Sequence, residues 1–383
     1  MVGKWCIFWI RGGSKFDIIC FFIFEKRLMK KIWLFSLPLL FVFSLSGKAQ
    51  TIDSLKIDFS GFIESYYAYD FNTPTENQKL PFMYNYNRHN EFNINNALLR
   101  VKASYENVYA SFALHAGTYV EDNYAAEDIK WVSEALVGIY LDKKRKHTVE
   151  MGIMPSYIGF ETAISALNLT VTRSILAENS PYFMTGLKYQ FQLNDKWTFA
   201  TFFTNGWQRI AKPDKSALPA FGSQITYKPT EKAVLNWSTF IGDEPTEFGL
   251  RTRYFSNLFF DYQWNENWRT IAGFDAGMQK SSVGDKHKKW FSPVLIAQYT
   301  FNSIWQSAFR TEYYQDENNV IINVNDIAFK TFGNSFNIDF SPTKRLKIRT
   351  EARWLKSQEA VFINNNEMVN DNFFITTSMS FEF

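Results

Sequence analysis

Apolar and polar side chains alternate one by one through the final stretch of this chain. Phe373, Ile375, Thr377, Met379, Phe381 and Phe383 fall on one parity; Phe374, Thr376, Ser378, Ser380 and Glu382 fall on the other. Successive side chains of a strand point to opposite faces, so this period of two predicts a strand with one apolar and one wet face. Similar short runs recur from Lys56 onward, with no helical periodicity sustained over a long segment. A single amphipathic strand fits a soluble sandwich equally well. A long series of them, punctuated as below, points to a membrane barrel, where one face meets lipid and the other water.

Turn residues divide the runs. Tight turns are predicted at 106–107, 142–146, 194–195, 228–232, 265–267, 302–303 and 341–345. Longer polar segments cover roughly 71–90, 119–128, 156–180, 208–219, 243–249, 280–289, 315–325 and 358–370. Eight long loops and seven short turns fit an all-β, transmembrane, antiparallel up-and-down barrel of about 16 strands, within a range of about 14–18. Short turns face the periplasm and long loops the exterior. Tyr105, Tyr109, Trp197, Tyr227, Trp264, Trp268, Tyr299, Phe301 and Trp305 flank tight turns, as an aromatic girdle at headgroup level would. In the strand near 326–340, Ile327 and Phe329 lie on one parity and Phe336, Ile338 and Phe340 on the other. A bulge or kink near Gly333 is predicted to reconcile them.

Parity also assigns the interior. Ala97, Leu99, Val101 and Ala103 face out, so Arg100 and Lys102 face in. By the same reading Lys188, Arg310, Glu312, Lys347, Arg349, Glu351 and Arg353 line the pore, and Asp58 and Glu64 face in on the first strand. Arg or Lys facing lipid at mid-bilayer costs about 2–4 kcal/mol, so this many charges on one parity implies a wet interior. Both signs are present. They set up either a transverse field that filters solutes or an ion-paired lining without selectivity. The segment 156–180 is the longest loop and unusually apolar. Its place between the fifth and sixth predicted strands suggests that it folds inward and narrows the pore, with Glu161, Arg173 and Glu178 at the constriction. Packing over the rim or against a neighbouring subunit is the alternative.

A targeting segment precedes the barrel. Met29-Lys30-Lys31 is a basic start, Ile32 to Leu45 is mostly apolar, and Gly47-Lys48-Ala49 supplies small residues before Gln50. Residues 29–49 therefore read as a signal peptide cleaved after Ala49, leaving 50–383 as the barrel. Residues 1–28 read as an extension from a start codon placed too far upstream; a membrane anchor built on 16–24 is the rival. Both cysteines, Cys6 and Cys20, fall in that extension. Removing 1–49 takes away eight basic and two acidic residues, leaving 33 basic and 36 acidic, a net charge of −3. No disulfide, thiolate chemistry or nucleic-acid-binding charge remains. A mean hydropathy of −0.24 suits strands that are half wet.

Candidate chemistry is sparse. His89, His147 and His287 lie in or beside predicted loops and turns, and His115 lies on a strand two inward positions from Ser111. No catalytic, metal or cofactor site is predicted. A barrel lipase or protease using His115 is the distant alternative.

Four stretches carry a family likeness: Ser60 to Asn72, Pro181 to Leu187, Phe203-Thr204-Asn205-Gly206-Trp207, and Ile225 to Lys232. Over much of the mature chain they resemble the OmpL-like β-barrel porins of Gram-negative outer membranes. The resemblance implies passive solute transport and supplies no binding residues. The expected function is a water-filled channel for small polar solutes; a non-conducting barrel acting as adhesin, receptor or assembly partner is the rival. Expected partners are outer-membrane lipids, the outer-membrane assembly machinery reading the terminal Phe383, small polar solutes and a homotrimer; nucleic acid is not among them.

Overall fold

The computed structural model describes residues 55–74, 77–212, 218–281 and 286–383; the targeting segment and its extension lie outside them. The strands are β1 (Lys56–Asp70), β2 (Phe92–Tyr105), β3 (Val108–Ala116), β4 (Val132–Tyr140), β5 (His147–Pro155), β6 (Phe183–Gln192), β7 (Trp197–Thr204), β8 (Ala220–Thr230), β9 (Ala233–Thr246), β10 (Gly249–Gln263), β11 (Trp268–Lys280), β12 (His287–Thr300), β13 (Trp305–Asp316), β14 (Phe329–Phe340), β15 (Leu346–Ser357), β16 (Phe362–Asn364), β17 (Glu367–Val369) and β18 (Asp371–Glu382). Two short helices, α1 (Thr118–Asn123) and α2 (Ile175–Glu178), lie between strands. Among the described residues, sixteen strands close into one barrel in which each pairs with its sequence neighbour; β16 and β17 form a separate hairpin in the last loop. All pairs are antiparallel, and β1 closes the ring against β18. Tight turns and long loops alternate at the two ends as the turn residues predict, except at 243–249, where β9 and β10 stay paired up to Thr246↔Gly249 and a two-residue hairpin replaces the expected long loop.

Alternation decides the two faces. Phe59, Leu99, Val137, Met151, Phe203, Trp237, Leu258, Leu295, Phe309, Phe336 and Met379 form an exposed apolar belt. Exposed apolar surface on this scale is stable only against hydrocarbon. Trp264, Trp268, Phe301, Trp305 and Phe383 are exposed at the tight-turn end, as a girdle requires.

Two local expectations need correction. Tyr109 is not part of the girdle. It faces inward into the space that a Cβ on Gly138 would occupy, and its hydroxyl donates to Glu150. Nor does β14 break at Gly333: it runs in unbroken register with β13 and β15. Phe329 keeps the inward parity because the interior there is apolar; its ring meets Phe82, which arrives from the first loop. The register shifts lie instead at Glu64/Ser65, Ala113/Leu114 and Tyr227/Thr230.

The seam joins β1 to the chain's last residues. Gly61 and Phe383 exchange backbone hydrogen bonds at 2.9 and 3.0 Å, and the Phe383 ring fills the place of a Gly61 side chain. A second glycine is required by its backbone: Gly152 has φ +139°, and a Cβ there would sit 2.0 Å from the Ala135 carbonyl oxygen of the next strand. A closed barrel should resist denaturing detergent until heated and so shift its gel mobility on boiling. Gly152→Val should remove that folded band, since positive-φ strain of about 1–3 kcal/mol adds to a clash against backbone that cannot move aside. A variant that still shows the heat-dependent shift would refute this role.

Candidate functional site

The interior is built around the segment between β5 and β6. After Pro155 it turns into the barrel instead of over the rim. Tyr157 stacks on Phe202 with ring centroids 3.8 Å apart, and its hydroxyl donates to the Thr239 carbonyl at 2.8 Å. Gly222 leaves the room for that ring. Gly159 N–H bonds Asn257, and Phe160 meets Phe259. The chain then crosses to the other wall, where Ser165 donates to Glu64 of β1.

A loop inside a barrel has no strand to satisfy its carbonyls, and buried carbonyls need donors. Arginine supplies up to five. Arg349 donates to the carbonyls of Ser165, Asn168, Leu169 and Thr170. Arg310 bonds Thr170 and Thr172, and Arg353 bonds Thr172 and the Arg173 carbonyl. Lys347 reaches the Ala166 carbonyl at 2.9 Å. The carboxylates take the loop's N–H groups: Glu351 accepts from Thr172 and Glu312 from Ile175, both at 2.6 Å. The charges also pair among themselves, Arg310 with Glu351 and Glu312, Arg353 with Glu312, and Arg349 with Asp339.

This arrangement corrects the reading of those side chains as lining open water. They do point into the barrel. However, Arg310, Arg349, Arg353 and Glu351 are 0% exposed and Glu312 is 3% exposed, so loop backbone, not solvent, meets them. Glu161, Arg173 and Glu178 are likewise buried within the segment. Glu161 accepts from Ser174, Glu178 from Tyr84, Asn85 and Tyr182, and Arg173 lies 3.6 Å above the Tyr182 ring. The partly open charges are on the opposite wall. Arg100 pairs with Glu134 at 3.2 Å and Lys188 with Glu150 at 2.9 Å, while Lys102 lies over the Tyr109 ring. Asp58 is exposed near the tight-turn end beside Lys56.

The first loop, which the sequence reading did not bring inside, fills the outer end. Leu80, Phe82 and Met83 pack among Tyr314, Val324, Phe329 and Phe362. The apolar run from Leu80 to Tyr84 was its signal. Lys79 goes in with them. Its Nζ lies 4.1 Å from the centre of the Phe374 ring without a hydrogen-bond partner, and burial pushes its amine down from 10.5 to about 7. An undocked loop therefore binds more protons between those two values, so docking strengthens as pH rises through that window. Proteolysis within 71–91 should be slower at about pH 9.5 than at about pH 6.5, and Lys79→Met should remove most of the difference. Equal pH dependence in the two proteins would rule Lys79 out as the cause.

His115 forms no Ser–His couple: its Nε2 bonds the Lys130 carbonyl at 2.9 Å, its ring meets Tyr119 and Tyr124, and the Ser111 hydroxyl is unpartnered. Among the described residues, no group of three or more His, Cys, Asp or Glu side chains is placed to hold a metal.

Solved structures of outer-membrane barrels share this architecture. The channel DcaP of Acinetobacter baumannii aligns with TM-score 0.60 and 10% identity over 87% of this chain and 98% of its own. An anion-selective porin from Comamonas acidovorans gives 0.58 and 10% over 86% and 100%, and the trimer form of OmpT from Vibrio cholerae gives 0.56 and 7% over 86% and 100%. At these identities the likeness is one of fold. No curated protein matches the sequence. The family described as "Putative beta-barrel porin-2, OmpL-like" matches residues 56–383, which is the whole barrel, and the chain belongs to this family of Gram-negative outer-membrane porins.

Proposed function

We propose that the barrel is a diffusion channel for small polar solutes, narrowed by the segment 156–182 and open along the β2–β6 wall. The observation that carries this reading is the unequal division of the interior. On the β13–β15 side Arg310, Glu312, Arg349, Glu351 and Arg353 are buried against the segment. On the other side Arg100, Glu134, Glu150 and Lys188 keep side-chain exposures of 10–30%. Lys188, Gln190 and Gln192 of β6 continue that polar row on inward positions. Sixteen strands enclose enough width for water beside a folded-in loop. The field across the narrow part then comes from Arg100, Lys102, Glu134, Glu150 and Lys188. The arginines of β13 and β15 act as anchors. Two of the barrels with this fold are described as a channel and as an anion-selective porin, which agrees with the reading.

Reconstituted, folded protein should give discrete openings in a planar bilayer. Protein with a heat-shifted gel band but no openings would overturn the channel and favour the non-conducting barrel. Lipid or peptide hydrolysis abolished by His115→Ala would favour the enzyme.

A further inference from the structure

A cavity of about 270 Å³ lies at the outer mouth among Glu178, Trp207, Glu244 and Arg253, and a smaller one of about 100 Å³ lies between the inward segment and the β2–β4 wall. The smaller is lined by Arg100, His115, Tyr119, Tyr124, Arg173 and Tyr182, among others. One water needs about 10–15 Å³ by this measure, so there is room for a group of several heavy atoms. We propose that this smaller cavity is a carboxylate subsite on the solute route, anchored by Arg173 and suited to a short monocarboxylate. The inference rests on the channel reading and names a solute class for it.

Arg173 carries the argument. It is 3% exposed and lines the cavity. Its Nη2 donates to the Glu161 carbonyl at 3.3 Å, while Nε and Nη1 have no partner. Three N–H groups of a buried cation are thus unspent, and unsatisfied charged donors are costly. The nearby acids are not in that position. Glu161 is occupied by Ser174, Glu178 by Tyr84, Asn85 and Tyr182, and Glu134 by Arg100. Among the charged groups, unspent bonding capacity therefore belongs to the cations, with Arg100 Nε adding an unpartnered donor on the facing wall; Asn96 Oδ1 is an unpartnered neutral acceptor in the same lining. An anion accepting from them would make charge-assisted bonds.

The rest of the lining sets the body of the solute. Leu98, Ile158 and Ile164 join the tyrosine rings around the cavity, which suits a short alkyl chain behind the carboxylate. Sodium propionate and propionamide have nearly one shape and differ in charge, so they isolate the anchoring interaction. Propionate should bind the folded parent in detergent by calorimetry and reduce its single-channel current, and propionamide should do neither. Arg173→Gln should weaken propionate binding at least about tenfold, or about 1.4 kcal/mol. Since Arg173 also stacks on Tyr182, a second variant guards against misfolding: Ala163→Leu adds bulk to the cavity lining and leaves every charge in place. It too should weaken propionate about tenfold or more. A conducting parent that treats propionate and propionamide alike overturns the subsite and leaves the channel standing. A folded parent that binds propionate selectively but never opens upholds the subsite and overturns the channel.

Discussion

Deleting residues 162–176 is expected to raise single-channel conductance at least about twofold and to leave the barrel closed. The segment crosses the interior, so its removal widens the narrowest part. The wall does not depend on it: β5 and β6 pair from Pro155↔Phe183 to His147↔Phe191 without any residue of 162–176. Arg310, Arg349 and Arg353 would exchange loop carbonyls for water, which a lumen tolerates far better than lipid does. Conductance in a planar bilayer is the measurement, with a heat-shifted gel band as proof of folding. A folded deletion protein that conducts like the parent would show that the segment lies outside the ion path.

The second large effect is expected at Arg310. Arg310→Met should lower the stability of the folded barrel by about 3–5 kcal/mol, read from the urea midpoint in detergent. Arg310 sits 2.7 Å from Glu351 and 3.2 Å from Glu312, with all three side chains at 0% exposure. Without it Arg353 alone must neutralise two buried carboxylates. Arg310→Met combined with Glu351→Leu should recover a large part of the loss, because a buried pair removed together leaves no stranded charge. In the 162–176 deletion background Arg310→Met should cost much less, since water replaces the loop. A loss below about 1 kcal/mol in the parent would mean that the segment is held elsewhere.

Strand number, turn positions and the two faces were legible because each depends on neighbouring residues: parity sets the face, and Asn, Asp, Gly and Pro mark the reversals. The apolar content of 156–180 marked the segment as one that must pack, and fitted an inward fold and a rim contact alike. What parity does not carry is whether an inward side chain meets water or protein. Arg349 and Lys102 have the same local signature. One is sealed by the backbone of residues 165–170 and the other is exposed, a difference set by a segment far away in sequence. Phe329 misled for the same reason. By parity alone an inward aromatic implies a break in register, whereas here the first loop makes that part of the interior apolar. Tyr109 lies beside a turn, as a girdle residue does; only its facing glycine shows that it belongs inside.

The seam sets the order of events in time. Asp70 and Asn372, 302 residues apart, hydrogen-bond where β1 meets β18. Until β18 is in place, β1 offers an unpaired edge that any other strand, including one from a second copy, could join. Closure is thus a single late step that the first strand has to await, and contacts this distant in sequence form slowly. The hazard of misassembly is concentrated in that waiting interval, and Gly61, flat enough to receive the Phe383 ring, is where it ends.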